Sequence, residues 1–348
     1  MTDNDTEVGP DTDVEIPDLA PRRAATAAPA SDVPLLEIKD LKVHIPIRVR
    51  MRRALVRAVD GVSFSVHRGR TLGLVGESGC GKTTTARAAM RLVESTDGQI
   101  LLNGRDITHL KGEQLRSLRK HFQIVFQDPY SALNPRLTVG QIVAEPMQAQ
   151  GMKPDAIRAR TDELLDLVGL QPRHRTAFPH QFSGGQRQRI GTARALATKP
   201  DVIILDEPVS ALDVSVQAQV VNLFSDLQDE LQMGIIFISH DLSVVRHMSD
   251  DVAVMYLGLI VEQGEAMTVL TEPLHPYTQA LISAAPGRPV DRERIVLTGD
   301  VPSPVNPPTG CRFRSRCWRA TEICETPPPL AVPEGYSHPV ACWHPGPE

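Results

Sequence analysis

The sequence predicts an α/β fold: a mostly parallel sheet covered by helices on both faces. Three observations predict it. Unbroken apolar runs, VIIL at 202–205 and GIIFIS at 234–239, are too short for helices and apolar on both faces. They alternate with longer segments of helical period, such as VSVQAQVVNLFSDLQDEL at 214–231. A glycine-rich loop at 76–83 follows one apolar run, LGLV, and opens a helix.

Taken in order, residues 1–33 are rich in Asp, Thr, Ala and Pro without an apolar period, and read as a disordered extension. Asp3, Asp5, Glu7, Asp11, Asp13, Glu15 and Asp18 make that end acidic, unlike a signal peptide. From Leu35 short β-like runs follow: LLEIKDLKVHI, ALVRAVDGVSFSV and TLGLVGES. The link RVRMRR between the first two puts Arg48, Arg50 and Arg52 on one face of an extended segment. It reads as a solvated hairpin or as a contact for nucleotide phosphates or anionic lipid. A helix is expected from Lys82 to about Val93, then a strand, QIVFQ, ending at Gln127. Residues 139–170 read as mostly helical, and a further helix runs from SGGQ through RALAT. A short helix and two strands follow GIIFIS. Past Pro286 proline becomes dense and the periods vanish. The expected organisation is an extension at 1–33, one large domain at 34–285, and a Pro-rich tail at 286–348.

Composition bounds the function. With 41% hydrophobic and 23% charged residues the chain is an ordinary globular one. Aromatics are 4%, so the core must rest on Leu, Ile, Val and Ala. A net charge of −5 argues against nucleic acid as the main partner. The run VAVMYLGLIV at 252–261 is half the length a spanning helix needs. The expected location is therefore the cytosol, with membrane association only through a partner.

The chemistry sits at the loop and at strand ends. Gly76-Glu77-Ser78-Gly79-Cys80-Gly81-Lys82-Thr83, followed by Thr84, fits G-x4-G-K-[ST]. Its glycines let backbone N–H groups turn onto phosphate oxygens, and the helix start adds a favourable field. Lys82 would reach the β- and γ-phosphates and the Thr83 hydroxyl would ligate Mg²⁺. VIILDE delivers Asp206 and Glu207 to the sheet's C-terminal edge. Asp206 suits Mg²⁺ and Glu207 suits a general base for an attacking water.

FSGGQ at 182–186 resembles the LSGGQ signature of ABC ATPases, with Phe182 for Leu. That resemblance covers roughly 34–290. It implies a RecA-like P-loop NTPase core, an antiparallel β-subdomain, a helical signature subdomain and, here, a small C-terminal cysteine-bearing extension. It implies that Ser183, Gly184, Gly185 and Gln186 meet the γ-phosphate held by an opposite subunit, two ATPs lying between two head-to-tail subunits. It further implies that Gln127 senses Mg²⁺ and the attacking water, and that the loop 128–136 lies against a membrane subunit. Asp213, in SALD, would link the two sites, and His240 would contact the γ-phosphate. Where the family commonly stacks an aromatic on adenine, Ile45 stands here, with His44 beside it. No sustained heptads and no internal repeat occur, which sets the chain apart from DNA-repair and ribosome-acting members. Lys82, Asp206, Glu207 and His240 are all present, which argues against a non-catalytic regulatory subunit.

QDPYSALNPRLTVGQIVAEP and LHPYTQALISAAP resemble the ATPases of di- and oligopeptide importers, a group that includes nickel and glycan-fragment importers. The resemblance implies a second ATPase subunit, expected to be a different chain. It also implies two permeases, an external binding protein and a place at the cytoplasmic face of the plasma membrane. The tail reads Cys311-x5-Cys317-x6-Cys324-x17-Cys342. It resembles tails of that group, some of which hold an iron–sulfur cluster. Four thiolates suit [4Fe–4S], with tetrahedral zinc or free thiols as alternatives.

Overall fold

The structure, a computed structural model, describes residues 33–49, 52–210, 212–285 and 294–346. All but the last residue of the expected N-terminal extension, and Arg50 and Met51 of the arginine link, lie outside the described residues.

A long hairpin comes first, β1 (Leu36–Val49) and β2 (Arg52–Val66), then β3 (Thr71–Val75) and α1 (Lys82–Ala89). Next are β4 (Asp97–Leu102), β5 (Arg105–Asp106), α2 (Gly112–Leu118) and β6 (Phe122–Val125). Helices α3 (Pro129–Ala132), α4 (Val139–Ala149), α5 (Pro154–Leu167) and α6 (Gly184–Leu196) follow. The chain returns to the sheet with β7 (Val202–Asp206), α7 (Val214–Leu231), β8 (Gly234–Ile238), α8 (Leu242–Met248), β9 (Asp251–Tyr256) and β10 (Leu259–Glu265). Helices α9 (Ala266–Thr271) and α10 (Pro276–Ser283) close the series.

Two sheets result. One is antiparallel, ordered β2-β1-β4-β5; the other runs β10-β9-β3-β8-β7-β6, parallel except for the β9–β10 pair. The apolar runs are explained by what each face covers. Ile203, Leu205, Ile235 and Phe237 enter one hydrophobic core with α4–α7, whereas Val202, Ile204, Ile236 and Ile238 enter another beneath α1 and the antiparallel sheet. Alternate side chains of one strand thus feed opposite cores, so neither face could be polar.

Two boundaries differ from expectation, and one mostly helical stretch proves to be two helices. Helix α1 stops at Ala89 because Arg91 takes a left-handed φ of 55° and the N–H of Leu92 turns back to the Arg87 carbonyl. That closure ends a helix. The 139–170 segment is split after α4, where Gly151 has φ 73° and Pro154 starts α5 anew. Strand β6 ends at Val125, so Gln127 lies two residues past it.

The tail at 294–346 forms no helix beyond a 3-10 turn, Glu322–Glu325. It docks through Phe313, 1% exposed, whose ring meets Tyr256, Tyr277, His275 and Trp318. Farther on, His338 pairs with the buried Glu262 at 2.7 Å, and Val340 bridges to β10 at Glu262. Phe313→Ala should lower unfolding free energy by about 3 kcal/mol, the usual cost of emptying a buried aromatic site. Denaturant unfolding, with limited proteolysis to follow release of the tail, checks this.

Candidate nucleotide site

The glycine-rich loop leaves β3 and enters α1 in a shape only glycines permit. Gly76 and Gly81 have φ of 151° and 115°. A Cβ at Gly76 would sit 2.2 Å from the Met255 carbonyl oxygen, and one at Gly81 2.3 Å from that of Ala58. The loop wraps the Lys82 ammonium, which donates to the Gly76 and Glu77 carbonyls at 2.7 and 3.0 Å and lies near Cys80 Sγ. Lys82 is 5% exposed, so a buried cation is held at the mouth of an anion cradle. Burial raises the pKa of the Cys80 thiol, which keeps it a neutral packing group. Ser78 and Gly79 form the exposed crest, and Thr84 lies half-buried on the first turn of α1.

Thr83 Oγ1 donates to Asp206 Oδ1 at 3.0 Å, joining the start of α1 to the end of β7. Burial pushes the Asp206 carboxyl above its ordinary pKa, and the Thr83 hydrogen bond only partly offsets this. Glu207 follows in a left-handed conformation, φ 48°, uncommon for a residue with a side chain. It is pinned there by its N–H to the Ile238 carbonyl and by Ser210 Oγ donating to its own carbonyl at 3.1 Å. The carboxylate accepts from Gln127 Nε2 at 2.9 Å, and His240 Nδ1 lies 3.4 Å from the same oxygen. Gln127, Glu207 and His240, separated by about eighty and thirty residues of sequence, therefore meet at one point beside Thr83 and Asp206.

The signature residues are elsewhere. Ser183 caps α6: its Oγ accepts from the Gln186 N–H at 3.3 Å and Gln186 Oε1 accepts from the Ser183 N–H at 3.1 Å. A Cβ on Gly185 would lie 2.4 Å from Val216 Cγ1, so glycine there lets α6 approach α7, and Gly184 faces Leu212. Asp213 is exposed at the start of α7, with no side-chain cap. Among the described residues, no hydrogen bond joins Ser183, Gln186 or Asp213 to Lys82 or Glu207. On β1, Ile45 is 39% exposed and Leu55, paired to its neighbour Pro46, is 52% exposed. His44 instead turns to Asp60, 2.6 Å away.

A cradle too tight for Cβ atoms, a buried ammonium and a desolvated carboxylate beside a hydroxyl fit a Mg²⁺-bound nucleoside triphosphate. The comparisons with known proteins agree. Residues 59–210 match the family model described as ABC transporter, and 261–324 match "Oligopeptide/dipeptide transporter, C-terminal region". The oligopeptide transport ATP-binding protein AppF of Bacillus subtilis is 52% identical over 322 residues, 90% of this chain and 98% of that protein. The chain belongs to the ABC transporter ATP-binding proteins. OppF of Escherichia coli, also an oligopeptide transport ATP-binding protein, is 49% identical (88% of this chain, 95% of its own). DppF of Haemophilus influenzae, a dipeptide transport ATP-binding protein, is 46% identical (90% and 97%). Among solved structures, cbiO1 of Clostridium perfringens aligns with a TM-score of 0.61 at 28% identity, covering 69% of this chain and 92% of cbiO1. A dimeric ATP-binding cassette bound to ADP and Pi aligns at 0.59 and 26%, covering 66% and 98%. This ABC protein thus has an ATPase fold and belongs to an ATP-hydrolysing family. Among its described residues no helix is long and apolar enough to cross a membrane.

The four cysteines of the tail come together in the fold. Cys311, Cys317, Cys324 and Cys342 do line one cavity, with His275, Phe313 and Trp343. Yet among the described residues no group of three or more His, Cys, Asp or Glu side chains stands as a metal-holding set. Burial raises the thiol pKa of Cys311 and Cys317, and that of Cys342 to about 11. Burial thus favours the thiol form at those three, and a metal would bind there with release of protons. Sequence reasoning missed Tyr277 and Arg316, both of which touch Glu77 of the loop. Tyr277 sits in HPYTQAL, whose resemblance marks the group and not a role for the ring, and nothing in the sequence pairs Arg316 with a residue so distant.

Asp206→Asn tests the desolvated carboxylate. A carboxyl whose folded pKa is raised favours the fold below its unfolded value, about 3.9, and loses that stability as pH rises through the folded value. The substitution should therefore raise the thermal midpoint of the nucleotide-free chain at pH 7 to 8, with the gain shrinking toward about pH 4, and abolish Mg²⁺-dependent ATP binding. Thermal scans and nucleotide titrations across pH check both.

Proposed function

We propose that this chain hydrolyses ATP to drive uptake of di- and oligopeptides through membrane permeases. The observation that carries the hydrolytic half is the meeting of Gln127, Glu207 and His240 beside Lys82, Thr83 and Asp206. The C-terminal match and the three named relatives support the peptide half.

In this reading, the N–H groups of residues 76–83 and Lys82 hold the phosphates, while Thr83, Asp206 and Gln127 hold Mg²⁺. Bound Mg²⁺ would neutralise charge that develops on the phosphates. Glu207 takes the proton of the attacking water, and its left-handed backbone aims the carboxylate past the strand end. Gln127, bonded to the same carboxylate, would orient that water. His240, 61% exposed at its side chain, is free to meet the γ-phosphate. Ser183, Gly184, Gly185 and Gln186 are exposed or half-exposed apart from Gly185, and serve the site of a second ATPase subunit, with Asp213 between the two. That second subunit is a different chain in our reading.

Residues 34–285 form the ATPase domain and 286–348 the extension; the second family model, at 261–324, straddles that boundary. Tyr130, 63% exposed and with the Arg187 guanidinium 4.1 Å over its ring, presents the 128–136 loop to a permease. An external binding protein supplies the solute, and the chain works at the cytoplasmic face of the plasma membrane. The four thiols around one cavity support a [4Fe–4S] or zinc site that forms with loss of protons. For that site, Cys311→Ser with Cys342→Ser should lose metal measured by elemental analysis; metal content equal to wild type removes it.

Glu207→Gln should retain ATP binding while turnover falls by about 10²-fold or more. Cells carrying it should lose uptake of radiolabelled peptides and keep nickel uptake. Lost nickel uptake with intact peptide uptake would reassign the solute and leave the ATPase in place.

A further inference from the structure

We propose that Arg316 and Tyr277 are positioning residues for the phosphate loop, making the C-terminal extension a working wall of the nucleotide site. The proposal rests on the ATP-site reading above and names residues outside it. Glu77, the second residue of the loop, is gripped on two sides. Its N–H donates to Tyr277 Oη at 2.8 Å. Its carboxylate accepts both terminal nitrogens of Arg316, at 2.8 and 3.2 Å. Its carbonyl, in turn, accepts from Lys82 Nζ at 3.0 Å. The chain from tail to phosphate-binding lysine is therefore continuous through a single residue.

The geometry is that of a strong pair. The Arg316 side chain is 8% exposed and that of Glu77 26%, and a two-pronged guanidinium–carboxylate contact fixes direction as well as distance. The pairing holds the guanidinium's pKa above its ordinary value despite burial. Arg316 also solves an electrostatic problem. A carboxylate in the loop that cradles a polyanion repels that polyanion, and Arg316 cancels the charge. Tyr277 takes up the one loop N–H at Glu77, which fixes the turn of that peptide. Its ring is itself locked against Tyr256 and Phe313, with centroids 4.7 and 5.5 Å away.

The tail does not depend on this pair for its docking. Arg312 is bonded to Asp60 and to the Leu257 carbonyl, His338 to Glu262, and the Gly346 carbonyl to Gln279 Nε2 at 2.7 Å. Loss of Arg316 alone therefore leaves the extension in place and acts on the loop.

The test is equilibrium binding of a fluorescent ATP analogue to the full-length chain, with thermal midpoints measured in parallel. Arg316→Gln should weaken binding about tenfold, the scale of one charged hydrogen-bonded pair, with the midpoint nearly unchanged. Arg316→Lys should recover part of the loss. Adding Glu77→Gln to Arg316→Gln should restore binding to within about threefold of wild type, because the uncancelled carboxylate is then gone. Tyr277→Phe, which keeps the ring and removes the acceptor, should weaken binding independently. Wild-type affinity in Arg316→Gln overturns the proposal, as does a loss that tracks a lowered midpoint and is not relieved by Glu77→Gln. Lys82→Ala is the control: if it binds ATP normally, the site reading itself fails; if it loses binding while Arg316→Gln does not, only the present proposal fails.

Discussion

A sheet buried on both faces has only its strand ends to offer to water, and the rest of this structure follows from that constraint. Strands β7 and β8 bury every side chain, so charge can appear only after Leu205 and after Ile238. Asp206, Glu207 and His240 stand just past those points. The Thr83–Asp206 hydrogen bond ties the loop after β3 to the end of β7, across the intervening β8. Residues far apart in sequence share one edge because parallel strands all end there.

Much of this was legible in the sequence, for identifiable reasons. The runs VIIL and GIIFIS read as strands because both faces are apolar, and the 214–231 segment coincides with α7 because its period is unbroken. The loop and carboxylates were legible because their chemistry demands particular residues at a fixed spacing. What was not legible is long-range pairing. Arg316 meets Glu77 across 239 residues, and no periodicity carries that information. A helix end was misjudged where Arg91, with positive φ, stops a pattern whose side chains would have allowed it to continue. The cysteine tail lies between these cases: spacing suggested a ligand set, and the fold gathers the four cysteines around one cavity.

The site divides its labour between rigid and strained parts. The Lys82 cradle is rigid, because Gly76 and Gly81 are packed against backbone. Glu207 is strained, held at φ 48° by bonds from both sides. A left-handed carboxylate costs roughly 1–3 kcal/mol, which the fold sustains through the depth of the cores on either side of β7 and β8. By contrast, the signature segment answers to its own helix and to α7, and it is built as a surface.

One contact of the tail has a consequence for the molecule outside its chemistry. Strand β10 is the margin of the central sheet, and the backbone of a margin strand is open to pairing with another chain. Here the Ala341 N–H bonds to the Val261 carbonyl, the Gln263 N–H bonds to the Pro339 carbonyl, and Val340 lies alongside Glu262. Residues 339–341 thus occupy part of the margin where a stranger's strand would add. Another strand, from a second copy or any other chain, is thereby kept from pairing along that stretch of the edge.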